Sequence, residues 1–199
     1  MNKFNFKNHK NNINNEGDCV ELTEILADKA PHLKNGILDQ GGMMLLSGIP
    51  GIGKSCFALN LLTYMTFGES YLDKFIPTKP LNVVYLQNEV GKDVLSKRMR
   101  KIDIIQSSLE LPRGSLIMSS FNKEFRFDDQ GIEKVIKQIK EKLQNKLPDI
   151  ICVDSLSSFF YAEEGDINSN EGLREFAHRV EALRDVINPA AGIILISSI

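Results

Sequence analysis

The sequence predicts an α/β fold in which a mostly parallel sheet is covered by helices on both faces. Two observations carry this. Short apolar runs bounded by turn residues alternate along the chain with amphipathic stretches of helical length. A glycine-rich turn also joins an early strand-like run to a long apolar helix-like run, as the crossovers of parallel sheets require.

Each element follows from its own pattern. Residues 43–47 read as a strand, 54–67 as a helix, 82–87 as a strand and 92–102 as a helix with a basic face. Residues 115–119 form a short strand. Over 129–146, Ile132, Val135, Ile136, Ile139 and Leu143 fall on one helical stripe that Pro148 punctuates. The run "DIICVD" at 149–154 is apolar throughout its middle, the mark of a strand buried on both faces. Phe176, Ala177, Val180, Leu183 and Val186, with Leu173, make a second stripe, and "GIILISS" at 192–198 is the last strand. No internal repeat and no second domain are visible.

Composition bounds the possibilities. A chain of 199 residues with 42% hydrophobic content suffices for one sizeable core. A net charge of −2 gives no global basic footprint, so any nucleic acid would have to be met locally or by an assembly. There is no apolar stretch of membrane-spanning length, and the Asn- and Lys-rich leader at 1–18 lacks a signal-peptide core and reads as disordered. Cys19, Cys56 and Cys152 are scattered, two of them within apolar segments that read as core, which fits reduced thiols in a cytoplasm. His9, His32 and His178 have no metal-ligand spacing and read as ordinary surface or core histidines.

The chemistry concentrates in "GIPGIGKS", Gly48 to Ser55, a full match to G-x-x-x-x-G-K-[ST]. Chance would produce it in roughly one chain of this length per hundred, and here it also lies between a strand and a helix. Gly48, Gly51 and Gly53 leave the backbone free to turn successive N–H groups inward around an anion, with Ile52 and Cys56 contributing main-chain donors. Lys54 is expected to reach the β- and γ-phosphates of ATP, and the Ser55 hydroxyl to ligate Mg²⁺.

In parallel sheets ligands bind beyond the carboxyl ends of the strands. Asp154 ends the strand "IICV", where a carboxylate can hold Mg²⁺ directly or through water; many strands also end in an ordinary capping aspartate. Glu89, just after "VVYLQN", is a candidate to orient or deprotonate an attacking water, or else an exposed turn glutamate.

The order "SGIPGIGKS", "GESYLDKFIPTKPLNVVYLQNE", "ICVDSLSSFF" and "AGIILISS" resembles the RecA-like P-loop NTPase core, most nearly that of the hexameric plasmid replication helicases of RepA type and their AAA-family relatives. The resemblance runs from about residue 36 onward. It implies that Lys54 and Ser55 serve phosphate and Mg²⁺, that Asp154 is the Walker B residue, that Glu89 is the catalytic carboxylate, and that Arg98 lies near the nucleotide of its own or a neighbouring subunit. It implies too that the 192–197 strand lies between the Walker A and Walker B strands, and that the full-length protein is a homo-hexamer acting on single-stranded DNA.

Three departures stand out. Glu89-Val90 replaces the usual acidic pair, and Ser197 and Ser198 stand where histidines are frequent. The chain stops at Ile199, directly after a core strand, where the family continues with further strands, so the reading expects a truncated product or fragment with its core at 19–199. After Asp154, Phe159, Phe160 and Tyr161 can stack bases or pack under a helix, whereas Glu163, Glu164 and Asp166 repel phosphate. A regulatory nucleotide-binding module acting on protein partners is the alternative reading. A phosphotransferase of nucleoside-kinase type ranks third.

Overall fold

A computed structural model describes residues 31–108, 110–119, 128–144, 146–159 and 170–198. The leader at 1–18, His9, Cys19, Phe160, Tyr161 and the acidic residues 163, 164 and 166 lie outside the described residues.

The strands are β1 (Pro31–Leu33), β2 (Leu38–Asp39), β3 (Met43–Gly48), β4 (Val83–Gln87), β5 (Leu116–Met118), β6 (Ile150–Asp154) and β7 (Gly192–Ser198). The helices are α1 (Lys54–Phe67), α2 (Lys92–Met99), α3 (Asp103–Ser107), α4 (Asp129–Leu143), α5 (Leu156–Phe159) and α6 (Asn170–Ile187). Five strands form one parallel sheet in the order β3-β7-β6-β4-β5, so the last strand inserts between the first and the fourth of these in chain order. That is the predicted position of the 192–198 strand. Among the described residues no strand pairs outside β3, and Met43 and Leu45 on that strand are 40% and 54% exposed.

Two apolar cores lie on opposite faces of the sheet, as its continuous apolar strands demand. On one face α1 packs Leu59, Leu62 and Met65 against Val83, Cys152, Ile194 and Ile196. On the other, α4 and α6 bring Ile132, Ile139, Phe176, Val180 and Leu183 onto Val84, Ile151, Val153 and Ile193. Both predicted stripes therefore face the sheet, each fully buried side chain contributing about 1.5–3 kcal/mol. Phe159 belongs to this second core and is fully buried, which removes it from any base-stacking role.

Three differences from the sequence reading have local causes. The helix expected over 92–102 ends at Met99, and a separate short helix follows it at Asp103–Ser107. Ile102 turns to an extended conformation (φ −78°, ψ 123°) and is buried, and Asp103 opens α3. The helix expected over 129–146 ends at Leu143, because Gln144 adopts the left-handed region (φ 49°). The β1–β2 ribbon was not foreseen; its two short strands carry Leu33 and Leu38 into the α1-side core. Cys152 is buried, but Cys56, in the first turn of α1, is exposed.

The amino ends of the central strands are tied together. Asp149 accepts from the Asn82 amide (2.8 Å) and pairs with Lys79 (2.8 Å), and its carbonyl accepts from Gly192 (2.8 Å). Asn188 donates to Pro148 O (2.9 Å). The ribbon joins the same end, His32 meeting Ala190 O through Nε2 (2.8 Å), while Arg184 donates to Gly41 O (2.8 Å).

Gly114, just before β5, approaches α1 so closely that a Cβ there would lie 2.0 Å from Leu81 O and 3.0 Å from Thr66 O, while its N–H donates to Thr66 O (2.8 Å). Both neighbours are backbone and cannot swing aside. Gly114→Ala should therefore lower the unfolding free energy by about 2 kcal/mol or more, read as a lower denaturant midpoint.

Candidate functional site

The carboxyl ends of β3, β7, β6 and β4 gather at one edge of the sheet, with β3 and β7 running two residues beyond β6 and β4. Gly48 lies opposite Ser198, Ile196 opposite Asp154, and Asp154 opposite Gln87. This register gathers the strand-end residues around one cleft of about 420 Å³.

The floor of the cleft is the loop between β3 and α1. Gly51 (φ 80°) and Gly53 (φ 99°) hold left-handed conformations that side chains rarely adopt, and Gly53 is the N-cap of α1 without any side-chain cap. The first amides of α1 are thus presented with the positive end of the helix dipole behind them. Lys54 Nζ donates to Gly48 O (2.7 Å) and Ile49 O (3.0 Å), which sets its ammonium inside the arch of the loop. Gly51, Gly53, Lys54, Ser55 and Cys56 line the cleft; Ile52 points its side chain outward, 66% exposed.

Glu89, Arg98, Asp154 and Ser198 complete the walls. Arg98, near the end of α2, lies on the cleft of its own chain and close enough to Asp154 for its charge to act there. Of the two serines at the end of β7, Ser198 lines the cleft. All the catalytic and metal candidates named from the sequence therefore converge, while of the phosphate-binding candidates Gly48 and Ile52 are not among the lining residues, Gly48 supplying a carbonyl to Lys54.

Asp154 is 3% exposed, and burial raises its carboxyl above the usual range, with Glu89 adding to the rise. Opposing this, the Tyr85 phenol donates to the carboxylate, and the neighbouring Ser55 hydroxyl and Arg98 favour its charged form. The phenol itself is pushed far up by burial and by the neighbouring Asp154, so it stays a proton donor. Glu89 Oε1 accepts from Ser155 Oγ (2.8 Å), and that hydroxyl also meets Ser157 Oγ (2.9 Å).

Sequence reasoning did not single out Tyr85, Gln87 or Ser155. Tyr85 and Gln87 sit in a strand buried along its whole length, where they look like core. Ser155 could have been noticed as the hydroxyl next to a strand-end aspartate.

The donor set suits a polyphosphate with a hard divalent cation. Uncapped amides, Lys54 and Arg98 match phosphate oxygens. Ser55 and Asp154 offer the few oxygen ligands that Mg²⁺ takes when phosphates and water supply the rest. Among the described residues no group of three or more His, Cys, Asp or Glu forms a metal cage, so such an ion would depend on Ser55, Asp154 and the phosphates together.

A buried carboxylate with a raised pKa destabilises the metal-free fold. Between the unfolded and the folded pKa the native state binds the extra proton, so stability falls as pH rises through that window and stays reduced above it. Asp154→Asn should therefore raise the Tm of the nucleotide-free protein at pH 7 and flatten its dependence on pH, measured by calorimetry from pH 4 to 8.

Compared with protein families, residues 24–196 match the AAA domain. No curated protein matches the chain. No helix among the described residues is long and apolar enough to cross a membrane. With the parallel sheet, the phosphate loop and a match over most of its length, the chain belongs to the AAA-type P-loop ATPase family, a nucleotide-binding α/β domain of RecA-like fold.

Proposed function

We propose that this domain binds Mg-ATP in the cleft at the carboxyl ends of β3, β7, β6 and β4, and hydrolyses it with Glu89 as general base. The observation that supports the reading is the convergence of Lys54, Ser55, Asp154, Glu89 and Arg98 on a single cleft. In this reading the loop amides and Lys54 cradle the β- and γ-phosphates, and Arg98 adds positive charge on the side facing Glu89 and Asp154. Ser55 and Asp154 would hold Mg²⁺, which supplies charge neutralisation between the β- and γ-phosphates. Glu89, held by Ser155, takes the proton of the attacking water.

The wider reading is an ATPase of DNA replication, a cytoplasmic ring helicase that is hexameric at full length and acts on single-stranded DNA. It rests on the likeness of motif order to helicases of RepA type. Comparing ATP turnover with and without single-stranded DNA tests it: stimulation supports a DNA motor, and identical rates favour a regulatory module working on protein partners.

Two substitutions separate binding from chemistry. Lys54→Ala should weaken ATP binding by about 10- to 100-fold, the loss of a charged hydrogen bond worth about 1.5–3 kcal/mol, seen by calorimetric titration. Glu89→Gln keeps shape and hydrogen bonding, so it should bind ATP like the parent and hydrolyse it about 10²-fold or more slowly in a single-turnover assay.

A further inference from the structure

Gln87 is the last residue of β4 and is 2% exposed. A polar side chain so buried must find partners, and this amide uses its full capacity. Its Oε1 accepts from the main-chain N–H of Glu89 (3.0 Å) and of Val90 (2.9 Å). Its Nε2 donates to Val90 O (2.8 Å) and to Ser119 O (2.8 Å). The assignment of oxygen and nitrogen is forced, because exchanging them would set two N–H groups against two donors and two carbonyls against an oxygen.

The residue's own backbone is fixed as firmly. The Ser119 hydroxyl accepts from Gln87 N (2.7 Å) and donates to Gln87 O (2.7 Å), joining the end of β4 to the residue after β5. Glu89 is thus held at two points, its backbone by the Gln87 amide and its carboxylate by Ser155 Oγ (2.8 Å).

We infer that Gln87 is the positioning residue of the general base: its amide clamps the turn carrying Glu89 and thereby aims the carboxylate into the cleft. This rests on the assignment of Glu89 as base. No other side chain meets the requirement. Glutamate keeps the acceptors but loses both Nε2 donors, asparagine is one methylene short, and leucine offers nothing to four backbone groups. A base displaced by about 1 Å loses about 10²-fold in rate, so the clamp acts on chemistry and leaves the phosphate loop untouched.

The test uses Gln87→Glu and Gln87→Leu in the parent and in the Glu89→Gln background. In the parent, single-turnover hydrolysis should slow by about 10- to 100-fold, while affinity for a fluorescent ATP analogue stays within about threefold. Amide exchange at Glu89 and Val90 should accelerate. In the Glu89→Gln background the same substitutions should slow hydrolysis by less than about twofold, since a clamp has nothing left to aim. Equal losses in both backgrounds, affinity falling in step with rate, or parent-like rates in the Gln87 variants would overturn the inference. If Glu89→Gln itself turned over at the parent's rate, the general-base assignment would fall, and the clamp with it. Should Gln87→Leu not fold, the near-isosteric, uncharged Gln87→Met decides: slowed hydrolysis at unchanged affinity supports the clamp, and an unchanged rate refutes it.

Discussion

The insertion of β7 between β3 and β6 is the constraint on which the rest of the molecule depends. Parallel pairing on both of its edges brings the ends of three strands that are far apart in sequence to the same edge of the sheet. Without it the phosphate loop after β3 and the aspartate at the end of β6 would belong to separate sheets. The pairing is secured by burial, since Ile193 faces one core and Ile194 and Ile196 the other, each at most 1% exposed. A slip of one residue would exchange those faces and move Asp154 away from Ser55.

The electrostatics of the cleft follow from where the sheet stops. Asp154 ends a strand that is buried throughout, so its carboxylate is dehydrated by the architecture. The Tyr85 hydroxyl, donating from within the core, keeps it from being an unpartnered buried charge, and Ser55 of the phosphate loop favours its ionised form. Any cation that binds there lowers the carboxyl's pKa, so binding and deprotonation are linked. Stability is given up at this position for a group poised to take up positive charge, a common trade in functional sites.

The fold and much of the cleft were legible in the sequence because their signals are local. Gly48 to Ser55 is one contiguous motif, and Asp154 and Glu89 are found by walking to the end of an apolar run. The resemblance to RecA-like cores placed Arg98 on the cleft, which periodicity alone did not. Tyr85 and Gln87 stayed hidden because their partners, Asp154 and Ser119, lie 69 and 32 residues away and meet them only when the sheet forms. The break between α2 and α3 was invisible for a similar reason. Residues 92–102 have acceptable helix pattern, yet the helix stops at Met99 and Ile102 turns extended and buried, a tertiary demand that propensity does not record.

The ties around Asp149 have a mechanical meaning. They fasten Asn82, Lys79 and Gly192 at the amino ends of β4, β6 and β7, and Asn188 holds Pro148 beside them. The opposite ends carry loops with exposed glycines at 51, 53 and 91. The strands are therefore fastened by side chains at both ends, through Asp149 at the amino ends and through Gln87 and Ser119 beside the cleft, so a ligand entering the cleft meets adjustable glycine backbone set on strands of fixed spacing.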